Sequence, residues 1–209
     1  RDIAPVGLPG VVTWSPDGSR IAFWMLGMGL EESRVHIVRT DAAGETIPLR
    51  SRGTGCDALA WSPDGRSIVF SGVQGDRQQL YLRALDQLSA TPMAGTEGAS
   101  SPFFSPDGRW VGFWSAGALR KTPVGGGGPP TPICDTPEVF GASWGSDDTI
   151  IYSRQILGVW SVPSAGGTPQ AVLAPDRKKG ELKYLLPQIL PGGRTVLFTV
   201  THTPLPTWD

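Results

Sequence analysis

The chain has 209 residues, 18 basic and 19 acidic, for a formal charge of −1. Its 28 glycines and 20 prolines make up nearly a quarter of the sequence, which argues against a helical bundle because both residues break helices. The balanced charge gives no footprint for nucleic acid, no run of about 18 apolar residues offers a membrane span, and 39% hydrophobic residues with eight Trp exclude a disordered polar chain.

One unit recurs along the chain. Trp14-Ser15-Pro16-Asp17-Gly18-Ser19-Arg20-Ile21-Ala22-Phe23 returns as Trp61-Ser62-Pro63-Asp64-Gly65-Arg66-Ser67-Ile68-Val69-Phe70 and as Phe104-Ser105-Pro106-Asp107-Gly108-Arg109-Trp110-Val111-Gly112-Phe113. A worn copy, one residue short, starts at Trp144, and a fifth runs from Ile189 to Phe198. The mean spacing is about 44 residues. Pro fixes φ and Gly accepts φ > 0, so Pro16, Asp17 and Gly18, with Pro63, Asp64, Gly65, Pro106, Asp107 and Gly108, read as structural turns. Each Asp is expected to hold its own hairpin through bonds to nearby backbone N–H groups.

Each unit reads as four strands in chain order. The first ends at the aromatic before the turn, as in Val11–Trp14. The second alternates apolar positions, as in Ile68 and Phe70. The third follows a variable loop: Val35–Val38, Leu80–Arg83, Leu119–Thr122 and Val159–Val162. The fourth bears proline (Ile47-Pro48-Leu49, Thr91-Pro92-Met93, Thr131-Pro132-Ile133, Thr168-Pro169-Gln170) and so belongs at a sheet edge. The expected fold is all-β: a β-propeller of four-stranded antiparallel blades at about 10–50, 56–94, 99–134 and 140–173, with half of a fifth at 183–209. Four and a half blades are expected to be an incomplete propeller, cut inside a blade and fragile alone. The alternative is that the first ten residues close the ring with the last strands.

The chemical motifs read as structure. Gly141-Ala142-Ser143-Trp144-Gly145 matches the nucleophile elbow in letters, but the repeat places Ser143 on a first strand, with a hairpin and no helix to follow. Gly125–Gly128 lacks the Lys-Ser/Thr and helix of a phosphate loop. His36 and His202 are the only histidines, and Asp147-Asp148 approaches a cation site only weakly. Cys56 and Cys134 form no metal-ligand spacing; two buried thiols are expected, with a disulfide left open. Arg1–Pro5 does not read as a signal peptide. No catalytic residue, cofactor or metal is therefore expected. Asp176–Lys183 is the densest charge cluster. Its Arg177, Lys178 and Lys179 are either a solvated loop or a docking site for an acidic partner. The loops 26–33, 72–78 and 154–158, between second and third strands, vary as a recognition face would.

The Ser-Pro-Asp-Gly hairpins followed by an apolar-x-Phe strand resemble TolB-like, WD-repeat-related propellers over nearly the whole chain. Leu80–Leu88, Thr96–Gly108, Gly141–Trp144, Val162–Pro169 and Leu190–Arg194 are similar to the C-terminal propeller of bacterial transmembrane serine/threonine protein kinases. That resemblance implies a non-catalytic binding or sensory module in the extracytoplasmic part of a membrane-anchored bacterial protein. It would take a protein or small ligand at one face. These residues hold no kinase Gly-rich loop, His-Arg-Asp or Asp-Phe-Gly. The alternatives are the gating propeller of a prolyl-oligopeptidase-like serine hydrolase and a TolB-like periplasmic scaffold.

Overall fold

The computed structural model describes residues 9–25, 34–41, 46–49, 58–74, 77–87 and 89–202. Four antiparallel four-stranded sheets follow one another along the chain. The first holds β1 (Pro9–Trp14), β2 (Arg20–Met25), β3 (Arg34–Arg39) and β4 (Thr46–Leu49). The second holds β5 (Leu59–Trp61), β6 (Ser67–Gln74), β7 (Arg77–Ala84) and β8 (Thr91–Pro92). The third holds β9 (Ser100–Phe104), β10 (Trp110–Ser115), β11 (Ala118–Pro123) and β12 (Thr131–Asp135). The fourth holds β13 (Ala142–Trp144), β14 (Thr149–Ser153), β15 (Val159–Pro163) and β16 (Gln170–Leu173). A two-stranded sheet, β17 (Lys183–Ile189) with β18 (Val196–Thr201), ends the described chain.

Strands pair in chain order, so β4, β8, β12 and β16 are edges, where Pro48, Pro92 and Pro132 deprive no ladder of a central donor. Two expectations are corrected. The last edge strand begins at Gln170, after Pro169 rather than through it, because proline has no N–H to contribute. Residues 72–78 are not wholly a loop: Gly72, Val73 and Gln74 pair with Gln79, Gln78 and Arg77. The 26–33 loop, Cys56 and the first eight residues lie outside the described residues.

The chain divides into two compact units, Arg1–Ala116 with Lys121–Pro130, and Gly117–Arg120 with Thr131–Asp209. In the first, period-two alternation gives the second sheet two apolar faces. Leu59, Trp61, Ile68 and Phe70 pack with Ala22, Val35 and Ile37. Val69 and Leu80 pack on the other face with Met93, Ala99, Phe104, Val111 and Phe113. Trp61 is 7% exposed, and its Nε1 donates to the Thr13 carbonyl at 3.2 Å. Trp14, at the same repeat position, is 59% exposed. Gly112 sits directly opposite Phe103, and a Cβ there would lie 2.2 Å from that ring.

In the second unit, Ile151, Val159 and Tyr184 are buried with Ile189, Val196, Phe198 and Val200 around them. Two hydroxyls stitch the fourth sheet to β17: Ser153 Oγ donates to the Tyr184 carbonyl, and Ser143 Oγ accepts from Ile189 N–H at 3.1 Å. Between Leu185↔Thr199 and Gln188↔Leu197, β17 spends one residue more than β18. Leu186 in that bulge has φ 52° and points its side chain outward, 57% exposed.

Candidate binding surface

The two ends of the blades are built differently. At the turn end, three hairpins repeat one network. Ser15 Oγ donates to Asp17 Oδ1 at 2.6 Å, Asp17 accepts from Ser19 N–H at 3.1 Å, and Ser15 Oγ accepts from Arg20 N–H at 2.9 Å. The same three bonds tie Ser62, Asp64, Arg66 and Ser67, and again Ser105, Asp107, Arg109 and Trp110. Gly18, Gly65 and Gly108 take φ of 71°, 67° and 69°, where a side chain would be strained. These bonds hold the Asp17 carboxyl down to about 2, chiefly through Ser15, and lower Asp64 and Asp107 through Ser62 and Ser105. The fourth copy keeps the turn by another route. Asp148 adopts φ 61° in place of glycine, and Asp147 Oδ1 accepts from Thr149 N–H at 3.1 Å. The fifth has Leu190 and Gly192 where the first three have Ser and Asp, and its turn keeps the backbone bonds, Gly193 N–H to the Leu190 carbonyl at 3.0 Å and Leu190 N–H to the Thr195 carbonyl at 2.9 Å.

The opposite end changes from blade to blade. The second blade's hairpin is a polar ladder ending at Gln74 and Arg77. The third closes tightly through Ala116 and Gly117. The fourth opens into a 3₁₀ turn, Gln155–Leu157, carrying Ile156 (52% exposed) and Leu157 (46% exposed). Gly158, at φ 85°, lets this turn lie against β16: a Cβ there would sit 2.0 Å from the Leu173 carbonyl oxygen. Leu173 and Val172 beside it are exposed. Phe140 and Leu186, also exposed, lie at the same end. Phe140 N–H donates to the Ser153 carbonyl at 3.0 Å, and Leu186 N–H to the Phe140 carbonyl at 2.9 Å. Arg154 heads the turn with its guanidinium carbon 4.7 Å from the Trp160 ring centroid. Trp160 Nε1 donates to the Leu157 carbonyl at 3.1 Å. Arg154 Nε is buried with no hydrogen-bond partner.

The other residues singled out by sequence are not brought together. Ser143 lies within β13, paired with Ile151, and its hydroxyl is engaged by Ile189. His36 stacks on Phe23 across a strand pair at 5.4 Å, and His202 is exposed past β18. Gly125–Gly128 lies in the connection from β11 to β12. Cys134 is buried with its thiol pushed up by desolvation, 4.0 Å from the Tyr152 hydroxyl. Among the described residues no group of three or more His, Cys, Asp or Glu could hold a metal ion, and no helix is long and apolar enough to cross a membrane. Arg177–Lys179 forms an exposed 3₁₀ turn capped by Asp176, which accepts from Lys178 N–H at 3.0 Å and pairs with Lys179 at 3.8 Å. Sequence reasoning located the 154–158 loop but missed Phe140, Leu173 and Leu186. The available signal was two consecutive aliphatics, Ile156 and Leu157, in a loop.

Four four-stranded antiparallel sheets at this repeat define a β-propeller. Within that class the fold is TolB-like. The chain resembles TolB from Acinetobacter baumannii with TM-score 0.65 at 17% identity, covering 77% of this chain and 42% of that one. It resembles the putative TolB from Agrobacterium tumefaciens with TM-score 0.74 at 19% identity, covering 97% and 78%. A chain of a nidogen/laminin complex aligns with TM-score 0.70 at 11% identity, covering 94% and 73%. No protein-family model matches. By sequence the chain is 30% identical over 103 residues to the uncharacterized protein Atu1656 of Agrobacterium fabrum, covering 49% of this chain and 34% of that protein. It is 32% identical over 104 residues to the uncharacterized peptidase YuxL of Bacillus subtilis, covering 47% of this chain and 16% of that protein. The chain thus spans about a third or less of these curated relatives.

Proposed function

We propose that this chain is a non-catalytic binding or sensory module that recognises a protein or small ligand at the blade end away from the Ser-Pro-Asp-Gly turns. One contrast carries the reading. Ser15, Asp17, Ser143 and Ser153 are spent on holding hairpins and sheets, whereas the 154–158 hairpin offers exposed side chains that hold nothing. Varied loops on a uniform scaffold are what recognition uses. The kinase-like stretches support a place in the extracytoplasmic part of a membrane-anchored, kinase-like bacterial receptor. The near-even charge supports a partner other than nucleic acid.

The match to a protein named as a peptidase favours a second reading, the gating propeller of a prolyl-oligopeptidase-like hydrolase whose catalytic domain is encoded elsewhere in the gene. The likeness to TolB structures keeps a periplasmic scaffold as a third. Pull-down and ligand screening with the complete propeller test the first. It is expected to yield a saturable partner, and no partner under any condition counts against it. A G-x-S-x-G motif followed by Asp and His in the downstream coding sequence would favour the second.

A further inference from the structure

We propose that the exposed apolar patch around the 154–158 turn is a docking surface for an acidic, aliphatic segment of a partner protein. This deepens the binding-module reading and rests on it. Ile156, Leu157, Leu173, Phe140 and Leu186 present aliphatic and aromatic surface at one end of the second unit. None of them is needed to cover the cores named above. Singly exposed apolar residues are ordinary, whereas a cluster tied together by adjoining backbone marks an interaction site. The ties are the Leu186–Phe140 and Phe140–Ser153 bonds and the packing of Gly158 on Leu173.

The charge at its margin selects the partner. Arg154 has a buried Nε without a hydrogen bond, and its guanidinium lies on the Trp160 face rather than on a carboxylate. Arg177, Lys178 and Lys179 begin four residues after Leu173, so the chain keeps them within about 14 Å of it for the first and little more for the others. The acids nearest them in sequence are engaged. Asp176 caps the turn and meets Lys179, and Glu181 accepts from Asp176 N–H and from the Tyr184 hydroxyl. Glu138, two residues before Phe140, would repel an acid at that margin, so the partner's carboxylates belong beside Arg154 and the basic turn. Arginine and aromatic residues around an apolar centre are the usual make-up of such contacts.

The test uses the whole chain and a fluorescein-labelled, end-capped peptide of alternating Leu and Glu, with versions carrying Gln or Lys in place of Glu. Fluorescence anisotropy is expected to show the Glu peptide binding at least about fivefold tighter than the Gln peptide, with the Lys peptide weakest and the difference shrinking in salt. Joint Ile156→Ser and Leu157→Ser should weaken the Glu peptide about tenfold without moving the melting temperature, since both side chains are exposed. Arg154→Gln should erase the Glu-over-Gln preference; if that variant melts early, Lys178→Glu with Lys179→Glu takes its place. No binding of the Glu peptide, equal affinity for all three, or unchanged affinity in the variants overturns the proposal. A natural partner held equally by wild type and the Ile156/Leu157 variant would remove this surface and leave the module reading intact. Absence of any partner would remove the module reading itself.

Discussion

The turn end and the far end of the blades put different kinds of residue to opposite tasks. At the turn end, Ser15 and Asp17 saturate each other and the adjoining N–H groups, and the pattern repeats with little change at Ser62 and Ser105. At the far end, the pair of Gln74 with Arg77, the tight Ala116–Gly117 link and the Gln155–Leu157 turn differ from one blade to the next. A feature repeated in three successive blades serves the blade. A feature that changes while the fold persists is free to serve something else. Damage to the first should appear in stability and damage to the second in binding.

The largest expected effect tests burial within the repeat. Trp61→Ala should lose about 3–5 kcal/mol in denaturant unfolding, while Trp14→Ala, at the same repeat position but exposed, should lose under about 1 kcal/mol. Equal losses would break the distinction. Next, Gly112→Val forces a side chain into the Phe103 ring and should cost about 1–3 kcal/mol, measurable as a lower urea midpoint. Ser62→Ala removes a donor to Asp64 and an acceptor for Ser67 N–H, and should cost about 1 kcal/mol. Leu157→Ser should change stability by less than about 0.5 kcal/mol.

A smaller effect appears with pH. Asp17, Asp64 and Asp107 have carboxyls lowered by their hydrogen bonds, so the folded form favours their ionised state. The stabilisation this gives is fully present above the unfolded carboxylate pKa of about 3.9 and is lost as pH falls toward about 2, the folded value for Asp17. The melting temperature should therefore drop between about pH 4 and 2, and the triple Asp17→Asn, Asp64→Asn, Asp107→Asn variant should drop less steeply. An identical acid profile in the two proteins would detach these carboxylates from the hairpins' stability.

Sequence carried the blades because both of their signals are local. Ser-Pro-Asp-Gly encodes a turn by backbone preference, and Ile68 with Phe70 encodes a buried face by alternation. It missed the ladder at Gly72–Gln74 because a polar hairpin shows no alternation. It set β16 too early because Pro169 is permitted beside an edge strand as well as in one. The fourth turn looked damaged in letters, yet Asp148 reaches the left-handed region that short polar side chains tolerate. The candidate surface was legible only at Ile156 and Leu157. Leu186 reaches it through a bulge whose position depends on the register of β17 against β18, a property of two strands together. Arg154 belongs to it through a stack on Trp160, six residues away.

Hydrogen exchange of the whole chain with and without the Leu/Glu peptide tests the division between the two ends most directly. Slowed exchange at residues 154–160, 170–173 and 186, with the Ser-Pro-Asp-Gly turns unchanged, is the expected result. Protection centred on those turns, or spread evenly over both ends, would contradict it.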